Sequence, residues 1–263
     1  MNDTQILHYE TVTPLLKETL ERLMAEPLFE SFRLVGGTSL SLRYGHRRSD
    51  DIDLFTDAEY GSLDYRTFEA YLRSHFPYYH CTDTTSIVGF GRSYYVGPSA
   101  GEYVKVDLMY TDPFIERAEV IDGIRMAGTK DIAAMKMNVV AQGGRKKDFW
   151  DLHMLLGEYS LTEMFGFHAR RYEWEHDEEV LLNNFTDFSK ADPQSDPACL
   201  LGKQWKDIKV DLKNEAKNFR LMSRQDVAMP VAVQQPRPRD IPDVAAKLAK
   251  LAKTPKKKGR GIR

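Results

Sequence analysis

The stretch Arg33-Leu34-Val35-Gly36-Gly37-Thr38-Ser39-Leu40-Ser41-Leu42-Arg43-Tyr44-Gly45-His46-Arg47-Arg48-Ser49-Asp50-Asp51-Ile52-Asp53-Leu54-Phe55 decides how this chain is read. Phe32, Leu34 and Val35 predict an apolar strand, Gly36-Gly37 a turn, Thr38 to Tyr44 a short helix, and Asp51 onward a second strand. The two glycines let the backbone come close to a ligand. The helix behind them offers N–H groups and the positive end of its dipole, beside the Thr38 and Ser39 hydroxyls, which suits a phosphate. Asp51 and Asp53, two apart on a strand, leave the same face roughly 7 Å apart while Ile52 turns to the core. Two hard oxygen ligands so placed can share one or two divalent cations. Singly, a Gly-Gly turn is most often only a turn and Asp-x-Asp a solvated loop; the specific signal is the pair, both flanked by apolar residues.

A second signal is Tyr103-Val104-Lys105-Val106-Asp107-Leu108-Met109. Val104, Val106 and Leu108 alternate with Lys105 and Asp107, so the two polar residues share one face of a strand. If this strand neighbours the Asp51-Asp53 strand, Asp107 supplies a third carboxylate; otherwise it belongs to a half-exposed antiparallel strand whose charged face meets water.

The apolar residue, Gly-Gly, spacer and apolar-flanked Asp-x-Asp resemble the nucleotidyltransferase superfamily of the DNA polymerase β type. The fuller run Gly36-Gly37-Thr38 and Gly45-x-Arg47-x-Ser49-x-Asp51-Ile52-Asp53 resembles the AbiEii/AbiGii branch, the toxin halves of bacterial type IV toxin–antitoxin and phage-abortive systems. Asp107, between apolar residues, matches the superfamily's third carboxylate. The family also carries a lysine on a helix entering from the sheet and then Lys/Arg-Asp-x-x-Asp-Leu, matched by Lys136 and by Lys147-Asp148-x-x-Asp151-Leu152. The resemblance implies Asp51, Asp53 and Asp107 as ligands of Mg²⁺ or Mn²⁺, with Gly36, Gly37, Thr38, Ser39, Arg47 and Ser49 around a nucleoside triphosphate. Lys136 and Asp148 join the three carboxylates as catalytic residues. The implied activity is transfer of NMP from an NTP to an RNA acceptor, in characterised relatives the tRNA 3′ end, with release of pyrophosphate, and the implied partner is a cognate antitoxin.

Physical roles exist for the last two residues. Lys136 can pair with a triphosphate as a point charge, and Asp148 can orient a base, a hydroxyl or a cationic partner. The alternatives are a lysine snorkelling off an apolar helix face and a first-turn carboxylate favoured by the helix dipole. Lys130, in the first turn, is the weaker candidate of the two lysines. Asp151 reads as a salt-bridge partner for a residue such as Lys147. Two rival functions stay open: a nucleotidyltransferase acting on a small molecule or a protein hydroxyl, and a catalytically silent nucleotide- or RNA-binding subunit.

Over 263 residues no apolar run approaches a bilayer's thickness and no basic-then-apolar leader opens the chain, so the expectation is a cytoplasmic protein with no membrane contact. Cys81 and Cys199 are far apart and read as reduced structural thiols. From Leu221 onward there are eleven Lys/Arg against three Asp, a net +8, against −10 for the rest. Such a tail is either solvated or bound to phosphates. A positive path from Arg43, Arg47 and Arg48 across Lys136 and Lys146 is expected if the acceptor is RNA.

Elsewhere, Thr13-Pro14 predicts a helix start, with Leu16, Leu20, Leu23 and Met24 as its buried stripe and an end near Glu26. Leu63 to Phe76 predicts a helix stopped by Pro77. Ser86 to Phe90, Tyr103 to Tyr110 and Val120 to Met126 predict strands. Thr129 predicts the cap of a helix through Val140, stopped by Gly143-Gly144, and helices then run to Lys217. The expected fold is α/β: a small mixed sheet flanked by helices over 1–127, a helical domain closing the nucleotide cleft over 128–222, and a Pro-containing basic tail over 223–263.

Overall fold

A computed structural model of the chain describes residues 6–82 and 89–228. The chain divides into Met1–Ser223, treated below, and Arg224–Arg263, of which only the end of one helix is described. Thr13 opens α1 (Pro14–Ala25): its hydroxyl accepts from the Leu16 N–H at 3.1 Å, and Pro14 takes the first helical position, where its missing N–H costs nothing. Leu16, Leu20, Leu23 and Met24 form the buried stripe of that helix.

The chain then runs β1 (Arg33–Leu34), α2 (Gly36–Tyr44), β2 (Asp51–Thr56), α3 (Tyr65–His75), β3 (Tyr78–Cys81), β4 (Gly91–Ser99), β5 (Glu102–Tyr110), β6 (Glu119–Ile121) and β7 (Ile124–Met126). Five helices follow: α4 (Thr129–Ala141), α5 (Lys146–Leu155), α6 (Leu161–Arg171), α7 (Glu178–Asn184) and α8 (Trp205–Ala228). The strands make one mixed sheet in the order β3-β4-β5-β2-β1-β7-β6. Only β2 with β5 and β1 with β7 run parallel. The mixed α/β expectation therefore holds, with a sheet of seven strands.

Alternation on β2 and β5 gives the sheet two chemically different faces. Ile52, Leu54, Val106 and Leu108 point into a core shared with α1 and α3, and each such side chain contributes roughly 1.5–3 kcal/mol on burial. Asp51, Asp53, Lys105 and Asp107 are the alternate residues, so they point to the opposite face. That side carries a second core built from α4 to α8, to which Val35 and Leu40 belong.

Two predicted elements differ. Val120 to Met126 is not one strand but the hairpin β6–β7, because Asp122 and Gly123 both take positive φ (50° and 78°) and turn the chain. Thr129 is the first residue of α4, whose cap is Gly128; its hydroxyl instead shares a 2.6 Å hydrogen bond with that of Tyr159. The predicted strand Ser86 to Phe90 lies mostly outside the described residues, as does the tail from residue 229. Among the described residues, no helix is long and apolar enough to cross a membrane.

Candidate active site

β5 lies directly beside β2, in parallel, with Asp53 and Asp107 as Cα partners and Asp51 opposite Lys105. This register puts Asp107 beside the Asp-Ile-Asp pair on the same face, the placement its alternation with Val106 and Leu108 made conditional on strand order. The predicted Gly36-Gly37 turn is the first turn of α2, and it closes over this face. Gly36 has φ of 69°, and a Cβ there would stand 2.3 Å from Asp53 Oδ2. A Cβ at Gly37 would stand 2.2 Å from Arg47 Nη2. A side chain at Gly36 would crowd Asp53, and one at Gly37 would crowd the buried Arg47 guanidinium. No side chain caps α2, so its first-turn N–H groups carry no capping partner.

A cleft of about 200 Å³ opens here between the sheet and α4–α5. Asp51, Asp53, Asp107, Lys136 and Asp148 all line it, together with Gly36, Gly37, Arg47 and Ser49. All five predicted catalytic residues, drawn from two strands and two helices, thus share one cavity.

Behind the cleft the charges are locked. Lys136, buried on α4, gives its ammonium to Asp148 Oδ1 at 2.7 Å and to Asp151 Oδ2 at 2.6 Å. Arg47 donates to both oxygens of Asp151, Nε to Oδ1 at 2.7 Å and Nη2 to Oδ2 at 2.8 Å, and His46 Nε2 lies 2.8 Å from the same carboxylate. Burial works against every charge in this group, and the partners outweigh it. Asp151 is held well below the ordinary carboxylate value by Lys136 and Arg47, Asp148 below it by Lys136, and Lys136 and Arg47 are held above theirs by the aspartates. Asp148 also accepts the Arg145 backbone N–H at 3.0 Å, so it serves as the first-turn carboxylate of α5 and as a partner of Lys136 together. A larger cavity of about 460 Å³ lies against His46 and Trp150 and carries none of the three sheet carboxylates.

The sequence pattern described as "Nucleotidyl transferase AbiEii toxin, Type IV TA system" matches residues 18–250. The chain belongs to the AbiEii family. It is therefore a nucleotidyltransferase toxin of a type IV toxin–antitoxin system, with an NTP as substrate and a cognate antitoxin as partner. An uncharacterised protein of Aquifex aeolicus (strain VF5) is 34% identical over 164 residues, 59% of this chain and 73% of that one. The solved structure of MenT4, a nucleotidyltransferase toxin of Mycobacterium tuberculosis H37Rv, is similar in fold, with a TM-score of 0.51 at 12% identity, covering 77% of this chain and 82% of that one.

In this AbiEii chain the carboxylates on the sheet are crowded. Asp53 is pushed up from 3.8 to about 6, first by burial and then by Asp107, with Asp51 adding to it. Among the described residues no three acidic, His or Cys side chains converge as a ready metal cage. The donor set nevertheless fits a hard divalent cation: three carboxylates lie on one face, and Asp107 Oδ1 is buried without a hydrogen-bond partner. Two lysines stand among them. Lys105 donates to Asp107 Oδ2 at 2.5 Å, and Lys147 lies 3.5 Å from Asp51 Oδ2.

The other predicted residues fall less simply. The Thr38 hydroxyl turns inward to the Asp51 carbonyl and shares a 2.9 Å hydrogen bond with Ser49, so it braces α2 against β2, while Ser39 is wholly buried and its hydroxyl has no hydrogen-bond partner among the described residues. Asp151 pairs with Arg47, Lys136 and His46, whereas Lys147 reaches Asp51. The expected positive path is not a surface. Arg43, Arg47, Lys136 and Lys146 are buried and ion-paired, Arg43 to Glu119 and Lys146 to Asp196, and only Arg48 of the five is exposed. Lys105 and Arg145 also line the cleft, beyond the residues that the resemblance implies. The signal for Lys105 was present, since it shares the Asp107 face by alternation.

Proposed function

We propose that this toxin transfers a nucleotidyl group from an NTP to the 3′ hydroxyl of an RNA, with tRNA as the acceptor tested first, in a Mg²⁺- or Mn²⁺-dependent reaction in the cytoplasm. The observation that carries this reading is the register of Asp53 on Asp107 across the parallel β2–β5 pair, with Asp51 on the same face and the Gly36-Gly37 turn above them. Asp51, Asp53 and Asp107 would hold the cation; when bound, it supplies charge neutralisation at the α-phosphate and a more acidic acceptor hydroxyl.

The remaining work falls to the chain. The Gly36-Gly37 turn brings backbone N–H groups to the phosphates. Lys136, fixed by Asp148 and Asp151, presents a constant positive charge to the cleft, where charge builds on the leaving group. The acceptor oxygen forms a bond to the α-phosphorus as the bond from that phosphorus to the bridging oxygen breaks. Pyrophosphate leaves with the electron pair, and the hydroxyl proton passes to a carboxylate of the site. Asp148 is a positioning residue acting through Lys136.

A second reading, transfer to a small molecule or protein hydroxyl, is favoured by the burial of Arg43, Arg47, Lys136 and Lys146, which withholds those cations from a polyanion. Incubation with each α-labelled NTP and total cellular RNA separates the two. Label in RNA, lost in Asp51→Ala and Asp53→Asn, supports the first; label in protein or small molecules alone rejects it.

A further inference from the structure

We propose that Lys105 and Lys147 are built-in counter-ions of the carboxylate site, which hold it closed to bare metal and move onto the triphosphate when nucleotide and metal arrive together. This rests on the metal-dependent reading above. Both lysines line the cleft, one on each wall: Lys105 from β5 and Lys147 from the first turn of α5. Each takes an outer carboxylate of the set, Lys105 on Asp107 and Lys147 on Asp51, and among the described residues no Lys or Arg forms an ion pair with Asp53 between them. The side chains are about a third exposed (31% and 34%), so neither is packed in place as Lys136 is at 8%. They sit on flexible four-carbon stems at the mouth of the site.

The consequence follows from charge. Three carboxylates on one sheet face repel one another, and two ammonium groups relieve that repulsion in the free enzyme. A divalent cation taking the same oxygens must displace both. Alone it gains little, because it exchanges one set of counter-ions for another. A triphosphate gives the displaced ammonium groups new anionic partners in the same cleft, so metal and nucleotide bind cooperatively. Asp107 shows the arrangement in one side chain: Oδ2 holds Lys105 while the buried Oδ1 has no hydrogen-bond partner, so a cation that takes the whole carboxylate meets the Lys105 ammonium.

The test uses Mn²⁺ and inorganic tripolyphosphate with the full chain, so that no base preference enters. Mn²⁺ binding is read by electron paramagnetic resonance, with and without tripolyphosphate, in wild type, Lys105→Met, Lys147→Met and the gentler Lys105→Gln and Lys147→Gln. Expected is tighter binding of Mn²⁺ alone in the lysine variants, by about fivefold or more from the loss of a competing charge, and a smaller enhancement by tripolyphosphate. Mn²⁺ affinity unchanged or weaker in the lysine variants, with wild-type binding still abolished by Asp53→Asn, overturns the counter-ion role and leaves the metal site standing. No Mn²⁺ binding in wild type even with tripolyphosphate, or binding that Asp53→Asn leaves intact, overturns the metal reading itself and this inference with it.

Discussion

Asp151 and Arg47 meet in a bidentate ion pair sealed from water, and the same guanidinium lies across Gly37 of the phosphate-side turn. The pair therefore ties α5 to the loop between α2 and β2 and sets the height of the turn over the carboxylates. Asp151→Ala would leave Arg47 with no carboxylate and Lys136 with one fewer in the interior. A loss of about 3–5 kcal/mol in urea denaturation is expected. Asp148→Ala keeps Asp151 on both cations and gives up the contact to the Arg145 N–H, so about 1–2 kcal/mol is expected together with a large loss of transfer. Equal stability losses in the two variants would show that Asp151 is not the centre of the network.

Lys136→Ala is expected to lower kcat by roughly a hundredfold, the scale for removing one group aimed at transition-state charge. Lys130→Ala should leave turnover near wild type, since Lys130 is bound to Glu116 at 2.7 Å outside the cleft. Steady-state kinetics with the labelled NTP compare the two; similar losses would show that the buried lysine acts only through the fold.

Asp53 links stability to pH with a definite sign. Its pKa in the fold, about 6, lies above the ordinary 3.8, so the folded chain binds the proton more tightly than the unfolded one. The resulting penalty is absent below about pH 4, grows as pH rises through 6 and is complete above it, at most about 3 kcal/mol. In chelator, Asp53→Asn should therefore raise Tm at pH 7.5 and leave it unchanged at pH 4, while abolishing transfer. A variant that is less stable at pH 7.5 would mean the carboxylate is relieved by partners in the metal-free protein.

The residues that carry the site were readable because each sits in a pattern local in sequence: a glycine pair before a short helix, Asp-Ile-Asp on an alternating strand, Asp107 between Val106 and Leu108. Their assembly depended on strand order, which no local pattern encodes; β3 and β4 separate β2 from β5 in the chain yet lie beyond β5 in the sheet. β4 is hard to read locally because it contains Gly91, Gly97 and Pro98, residue types that favour turns. Gly91 is a strand glycine for another reason: a Cβ there would stand 2.2 Å from the Leu108 carbonyl. The role of Asp151 was hidden similarly, since Arg47 lies about a hundred residues away and only packing brings it near. The Thr38 hydroxyl faces the neighbouring strand, an orientation not legible in the sequence, because a hydroxyl in a first helical turn can face either a ligand or the strand beside it.

His168 and His176 look isolated in sequence, yet their Nδ1 atoms are 3.0 Å apart. His168 is pushed down from 6.5 to about 4, by burial first and by His176 second. The unfolded chain therefore binds this proton more tightly, and the stability it contributes is full above about pH 6.5 and lost as pH falls towards 4. The loss reaches about 3 kcal/mol at most. Expected is a wild-type stability that falls more steeply over that range than that of His168→Gln, measured as the difference between their denaturation free energies at each pH. Parallel curves would place the His168 titration in the normal range.

An RNA acceptor must be held by cations able to leave their protein partners. Arg43, Arg47, Lys136 and Lys146 are themselves buried and committed to carboxylates or carbonyls, and cannot serve. Arg145 can: it lines the cleft, its side chain is 60% exposed, and its contact to Asp148 is a long 3.3 Å. A further concentration of charge is the segment after residue 228, with ten Lys/Arg against two Asp. Each phosphate contact to a single strand contributes roughly 0.7 to the slope of log K against log salt. Arg145→Ala should therefore flatten the salt dependence of RNA binding by about one such contact, and deletion of residues 229–263 by several, with Mn²⁺ and tripolyphosphate binding unchanged by the deletion. Fluorescence anisotropy with tRNA across a salt series measures both. If neither change alters the slope, no phosphate backbone is being held, and transfer to a small molecule or a protein hydroxyl becomes the reading that the buried cations already favour.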